Sequence, residues 1–200
     1  MCTRSRRLGR RVSQIWRGRS LSARTGKRAL TADEIDYARD VFVDSVDYAG
    51  VHITRGSVFT IGSAVTLGTT IHLKAGWGHF RGDGMELTER GKHTLIHEMA
   101  HVWQYQHGGL AYIPRSLLAQ VRAAARGGDR SGAYNWRSAH KAQRPWPSWN
   151  PEQQAAAVED YNKLLRRRAG AGTALDAADF AVLTEYMHFV WRGEGAPGRR

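Results

Sequence analysis

The stretch Thr94-Leu-Ile-His-Glu-Met-Ala-His-Val-Trp-Gln-Tyr105 decides how this chain of 200 residues is interpreted. It contains no glycine or proline, and its apolar residues recur at helical spacing, which predicts a helix with one buried side. His97 and His101 lie four residues apart, so they share one face of that helix. Two imidazoles one turn apart can bind one Zn²⁺ and leave room for a third protein ligand and a water.

Glu98 gives this histidine pair a chemical role. It lies about 100° around the helix from His97, at the edge of the same face. There its carboxylate can take a proton from a water bound to the ion. The pattern H-E-x-x-H is typical of zinc-dependent hydrolases, and random placement produces it in roughly 2 of 100 such chains. The alternative interpretation is a pair of ordinary histidines on a core or surface helix.

The third protein ligand of a hydrolytic zinc site has three candidates in this chain. Glu152 lies in the first turn of a separate predicted helix and is the expected ligand. Glu159 follows seven residues later on much the same helical face, so it is the alternative. His107 has the spacing of H-E-x-x-H-x-x-G-x-x-H, but Gln104 stands at the glycine position. In an unbroken helix His107 would lie too far along the axis to share the ion.

Other side chains are candidates for supporting roles. Gln104 lies on the metal-facing side, where it can bond a ligand or the substrate, or pack against the next helix. Tyr134, His140 and Tyr161 can each donate a hydrogen bond to the oxyanion of a tetrahedral intermediate, and spacing does not choose among them. The single cysteine, Cys2, excludes an internal disulfide, and no G-x-S-x-G motif predicts a serine nucleophile.

The net charge of +12 is concentrated at one end of the chain. Residues 1–30 hold ten Lys or Arg and no acid, whereas residues 31–200 have a net charge of +2. We therefore predict a basic, disordered arm over residues 1–29. Its residues 4–28 either contact nucleic acid or an anionic surface, or remain solvated without a dedicated partner.

The sequence predicts no membrane-spanning segment, because it lacks a run of about 18 apolar residues. The basic N-terminus also lacks the apolar region of a secretory signal. These features leave the localisation undetermined between the cytoplasm and export by a non-classical route.

The remaining pattern predicts one α+β domain over residues 30–192, mostly helical, with a disordered tail over 193–200. Thr31 and Glu34 form a predicted capping box, and Asn150 and Pro151 are typical of a helix start. Residues 129–149 are predicted to be irregular. The expected helices are 32–46, 88–108, 114–126, 151–168 and 176–191, and the expected strands are 51–54, 58–67 (strand or irregular loop) and 69–74.

Four segments carry a resemblance to the small bacterial "Vgr-related" proteins, which are similar to the metallopeptidase domain found beside contractile-injection and polymorphic-toxin systems. The segments are Leu95–Gln106, Asn150–Tyr161, Leu30–Phe42 and Thr70–Leu73. The resemblance implies a gluzincin-type zincin fold, with a small sheet packed on the motif helix. It also implies that His97, His101 and a downstream glutamate bind zinc, and it leaves that glutamate open.

The function expected from the sequence is hydrolysis of peptide bonds in a peptide or protein substrate, with Zn²⁺ as the cofactor and Glu98 as the base. A sheet edge can hold such a substrate by strand addition. The alternative is an inactive, zinc-stabilised adaptor whose partners are secretion-system or toxin proteins. A third hypothesis is a protein that binds nucleic acid or an anionic surface through the basic arm.

Overall fold

The computed structural model describes residues 26–56, 64–111, 131–168 and 174–198. The described chain is α+β and mostly helical, as predicted, and it contains a small four-stranded sheet. Its strands are β1 (Lys27–Ala29), β2 (His52–Arg55), β3 (Ala64–Leu67) and β4 (Thr70–Leu73). Its helices are α1 (Ala32–Phe42), α2 (Glu89–Gly108), α3 (Ser131–Tyr134), α4 (Trp136–Lys141), α5 (Pro151–Arg168) and α6 (Ala174–Trp191), with 3-10 turns at Gly109–Ala111 and Trp146–Ser148.

The sheet has the strand order β1-β2-β4-β3. β2 and β4 run parallel, with Ile53 opposite Ile71, whereas β1 and β3 pair antiparallel to their neighbours. Ile53 and Ile71 are fully buried, and Thr66 of β3 reaches helix α2, where its hydroxyl bonds Glu98. The sheet therefore packs on the motif helix, as predicted, with β3 at its edge beside Glu98.

Helix α2 forms where the sequence predicts it. Thr88 caps its start by accepting a hydrogen bond from the Gly91 amide, and Gly109, with φ of 69°, ends it. Gly91 is needed for close packing, because a Cβ there would lie 2.2 Å from the His79 carbonyl oxygen. The helix makes its most extensive contact with α5, so the core lies between the sheet, α2 and α5.

The predicted caps of α1 and α5 are confirmed. Thr31 and Glu34 form the reciprocal capping box, and the Asn150 side chain accepts a hydrogen bond from the Gln153 amide. The predicted helix 32–46 is too long, because α1 ends at Phe42 and Val43 has a φ of 52°. A residue at positive φ cannot continue a right-handed helix.

The sequence also missed a strand at the start of the domain. Lys27–Ala29, assigned to the basic arm, pairs with β2. Arg28 is tied down by two 2.6 Å hydrogen bonds to Glu34 and another to the Met85 carbonyl. The pairing with β2 and the bond to Met85 are long-range contacts, which no local strand pattern predicts. Residues 1–25 of the predicted arm lie outside the described residues.

Other boundaries differ in detail. The predicted segment 58–67 forms a strand at Ala64–Leu67, and its residues 58–63 lie outside the described residues, as does the predicted helix 114–126. The predicted irregular region 129–149 contains α3, α4 and a 3-10 turn. The predicted disordered tail is wrong for residues 193–198, where Ala196 is 3% exposed. In the described part of the chain, no helix has the length and apolarity to cross a membrane.

Candidate metal centre

The two histidines of the motif meet one carboxylate from a distant helix. The Oε2 atom of Glu152, in the first turn of α5, lies 3.4 Å from His97 Nε2 and 3.5 Å from His101 Nε2. The three potential ligand atoms lie within 4.8 Å of one another. Tight packing of α5 on α2 produces this convergence, because it places the start of one helix over the middle of the other.

The dimensions of this cluster fit a tetrahedral divalent ion. Zinc binds histidine nitrogen and carboxylate oxygen at about 2.1 Å, so adjacent ligand atoms of a tetrahedral site lie about 3.4 Å apart. The two nitrogen–oxygen distances to Glu152 match this separation. The side chain of His97 is 12% exposed, that of His101 is 7% exposed and that of Glu152 is 4% exposed. The cluster is therefore mostly buried but still contacts solvent.

The cluster is strongly polarised in the protein without an ion. Burial by itself lowers the pKa of His97, but the carboxylates of Glu152 and Glu159 outweigh it and raise that pKa to about 10. Burial similarly opposes a charged His101, whose pKa is nevertheless raised by Glu152. For Glu152, burial raises the pKa, but the two histidines hold it well below its usual range. A cation is therefore favoured at this point.

Glu159 lies at the opposite side of the His97 ring. His97 Nδ1 donates a hydrogen bond to Glu159 Oε2 at 3.1 Å, and Lys163 Nζ lies 2.8 Å from Glu159 Oε1. Burial tends to raise the pKa of Glu159, but the bonds from His97 and Lys163 lower it to about 2. The structure thus brings Glu152 to the point shared by the two histidines and places Glu159 against the other ring nitrogen of His97.

His101 is oriented by an amide instead. Gln104 Oε1 lies 2.8 Å from His101 Nδ1, and the amide nitrogen of the same side chain donates to the Pro151 carbonyl at 3.0 Å. Gln104 therefore bonds a candidate ligand and also packs against α5, so both sequence interpretations of this residue hold. It also ties His101 to the turn that carries Glu152.

Glu98 lies beside the cluster and is 6% exposed. Its Oε2 accepts a 2.6 Å hydrogen bond from the Thr66 hydroxyl. Its negative charge contributes to the raised pKa of both His97 and His101. The predicted base is therefore adjacent to the predicted ligands.

The other predicted residues separate into one that reaches the centre and three that do not. The centroid of the Tyr134 ring lies 5.8 Å from the centroid of the His97 ring. His107 bonds the Ser45 carbonyl at 2.7 Å, and His140 bonds the Tyr186 hydroxyl at 2.8 Å. Tyr161 stacks on Phe180, at 5.1 Å between ring centroids. Of the oxyanion donors considered, Tyr134 is the one at the site.

Two residues at or next to the centre were missed from the sequence. Thr66 bonds Glu98, and Gln154 bonds Gln104 at 3.1 Å. Thr66 lies in a segment where the strand prediction was ambiguous, and its pairing with Glu98 depends on how the sheet docks on α2. Gln154 is a buried glutamine two residues after Glu152 and belongs to no motif, so no local signal identified it.

Together the fold and the cluster define an α+β protein with a His₂-Glu site that a divalent metal ion fits. The chain is similar to the type VI secretion system spike protein VgrG2b of Pseudomonas aeruginosa, with 30% identity over 143 residues. The match covers 67% of this chain and 13% of that protein, so it links this chain to a small part of a bacterial Vgr protein. No protein-family model matches the chain, and no solved structure matches it.

Proposed function

We propose that this protein is a zinc metallopeptidase with a gluzincin-type, zincin-like fold. His97, His101 and Glu152 hold the ion, and Glu98 is the catalytic base. The proposal rests on one observation: Glu152 Oε2 lies 3.4 and 3.5 Å from the Nε2 atoms of the two histidines. Two adjacent histidines on a helix are common, but a buried carboxylate from another helix at the same point indicates a metal site.

The protein groups divide the chemistry among them. A bound Zn²⁺ supplies Lewis acidity, which makes a water more acidic and polarises the scissile carbonyl. Glu98 accepts a proton from the attacking water and returns it to the leaving amine. Thr66 holds one oxygen of Glu98 and so fixes the direction of its carboxylate. Tyr134, against His97, is the proposed donor to the oxyanion.

The position of β3 supports a peptide substrate. This strand lies at the edge of the described sheet, and its residue Thr66 contacts the base directly. An extended peptide added to such an edge is held by main-chain hydrogen bonds, which keep its backbone in a fixed register. The scissile bond of a peptide bound there would lie close to Glu98.

The number of ligands favours catalysis over a purely structural ion. Structural zinc sites are closed by four protein ligands, whereas catalytic sites use three and keep one position for water or substrate. Within residues 26–56, 64–111, 131–168 and 174–198, the cluster comprises three ligand residues. The adaptor hypothesis requires a fourth.

The similarity to a spike protein supports an association with a secretion system. We therefore propose that this protein acts together with a secretion system, since its relative is named as a spike protein of such a system. Among the described basic residues of the arm, Arg28 bonds Glu34 and is therefore not available to an anionic partner.

The decisive experiment measures metal content and hydrolysis of an unfolded protein substrate such as casein. The wild-type protein is expected to bind one Zn²⁺ and to cleave the substrate. Glu98→Gln should keep the zinc and lose turnover by about 100-fold or more, because the proton acceptor is gone. Glu89→Gln, an exposed acid on the same helix, is the matched control and should retain activity. Full turnover by Glu98→Gln contradicts the assigned base, and absence of zinc from the wild type contradicts the proposal as a whole.

A further inference from the structure

A buried line of side-chain amides runs from His101 to the C-terminal segment, residues 193–198. Gln104 Oε1 lies 2.8 Å from His101 Nδ1, and Gln104 Nε2 donates to Gln154 Oε1 at 3.1 Å. Gln154 Nε2 donates in turn to the Trp146 carbonyl at 3.1 Å and to the Gly195 carbonyl at 3.0 Å. Gln104 and Gln154 are 0% and 1% exposed, so water does not compete for these bonds.

The direction of every bond in this line is set by backbone carbonyls. The Trp146 and Gly195 oxygens only accept, so the amino group of Gln154 must face them and its oxygen must face Gln104. The Pro151 carbonyl fixes Gln104 in the same way, which turns its oxygen toward His101. His101 must then carry its proton on Nδ1 and present Nε2 to Glu152.

The C-terminal segment is packed tightly enough to hold its carbonyl in place. A Cβ at Gly108 would lie 2.4 Å from the Pro197 oxygen, and a Cβ at Gly195 would lie 2.6 Å from Trp146 Cδ1. Ala196 is 3% exposed. The segment therefore lies directly against the end of α2 and the 3-10 turn that precedes α5.

We propose that the C-terminal segment is a positioning element of the metal centre, which acts through Gln154 and Gln104 to fix the tautomer and direction of His101. The inference rests on the proposed metal site and extends it to residues far from the motif. The segment does not touch the ion. Its Gly195 carbonyl acts together with the Trp146 and Pro151 carbonyls to hold the two amides in one orientation, and a ligand so ordered binds metal without first having to rotate.

The test measures the Zn²⁺ dissociation constant of the full-length protein by competition with a chromophoric chelator. Gln154→Met keeps the side-chain volume and removes the amide, and it should weaken binding about 10-fold or more. Asn162→Leu is its matched control. Asn162 is an equally buried amide on the same helix, but it bonds Tyr37 and Arg166 instead of Gln104, so zinc affinity should stay within about 2-fold.

A second pair of variants tests the segment itself. Gly195→Ala places a methyl group against Trp146 and displaces the carbonyl, so it should also weaken zinc binding about 10-fold. Gly76→Ala is its control, because Gly76 has a φ of +85° but nothing within 4 Å of a Cβ. Thermal unfolding of the metal-free proteins measures the structural cost separately. Equal zinc affinity in Gly195→Ala and Gly76→Ala overturns the inference.

A measurement on the wild-type protein covers the case in which the variants fail to fold. Nitrogen NMR of the zinc-loaded protein, labelled at histidine, should show His101 bound through Nε2 with a proton on Nδ1. Binding through Nδ1 overturns the inference. The two proposals can be contradicted separately. If the wild-type protein binds no zinc, the proposed function is wrong. If the wild type and Gln154→Met bind zinc equally well, only the role of the C-terminal segment is wrong.

Discussion

Each imidazole of the candidate centre uses its two ring nitrogens for different tasks. The Nε2 atoms of His97 and His101 face Glu152, while the Nδ1 atoms bond Glu159 and Gln104 respectively. The Nδ1 partner of His97 is a carboxylate, whereas that of His101 is a neutral amide, so the two rings differ in basicity. A carboxylate partner increases the donor strength of the ring it bonds. His97 is therefore expected to be the stronger zinc ligand.

Glu159→Gln tests this division of tasks. Removing the charge that faces His97 Nδ1 should weaken Zn²⁺ binding about 10-fold, because the ring becomes a poorer donor and is less firmly oriented. The dissociation constant is measured by chelator competition. Glu185→Gln, an exposed acid on α6, is the control and should bind as the wild type does. Equal affinities in the two variants would assign Glu159 a structural role only.

Tyr134→Phe tests the proposed oxyanion donor. Removal of the hydroxyl should lower kcat roughly 100-fold while zinc content is unchanged, because the lost bond forms to charge that develops in the transition state. Steady-state cleavage of a fluorogenic peptide measures the effect. Tyr161→Phe removes a hydroxyl from a ring stacked on Phe180 and should retain its kcat. If Tyr134→Phe keeps wild-type kcat, another donor serves the oxyanion.

The first turn of α5 joins the site to the rest of the structure. Asn150 caps this turn by accepting from the Gln153 amide, and its own amide donates to the Ala133 carbonyl beside Tyr134. Glu152 lies within the turn, where the positive end of the helix dipole also favours a carboxylate. One cap therefore orders both the third ligand and the proposed oxyanion donor.

Asn150→Ala should reduce the free energy of unfolding by about 1 kcal/mol, because an amide at the helix start loses its acceptor. Urea denaturation of the metal-free protein measures the change. Thr94→Ala, at a partly exposed position within α2, is the comparison and should change stability by less than about 0.5 kcal/mol. A stability equal to the wild type for Asn150→Ala would show that the cap does not hold this turn.

At the scale of the molecule, the centre joins two helices that are distant in the sequence. Glu152 lies 55 residues from His97, and the separation is bridged by the packing of α5 on α2. An ion bound between the two helices therefore links them in the folded state and not in the unfolded chain. Zinc binding should for this reason stabilise the whole fold.

Thermal unfolding with and without Zn²⁺ measures this linkage. At free zinc about 100 times its Kd, the fold should gain about 2.7 kcal/mol. For a chain of this size that corresponds to a rise in Tm of roughly 5–10 °C. The shift should disappear on addition of a chelator and be absent from His97→Ala. An equal shift in His97→Ala would place the bound zinc elsewhere on the protein.

The sequence by itself determined what depends on short-range order. His97 and His101 share a face, and Glu98 lies beside them, because helical geometry fixes side chains three or four residues apart. The caps at Thr31, Thr88 and Asn150 are local in the same sense. These patterns predicted the mostly helical α+β class and the chemistry of the two histidines and their neighbouring carboxylate.

Only the tertiary structure decided which distant groups meet. Glu152 and Glu159 share a helical face, so which of them reaches both histidines depends on how far α5 is shifted along α2. The contact of Thr66 with Glu98, the strand formed by Lys27–Ala29 and the docking of residues 193–198 likewise depend on long-range packing. Such contacts are formed by hydrophobic burial and backbone pairing between segments far apart in the chain, and no spacing within one segment encodes them.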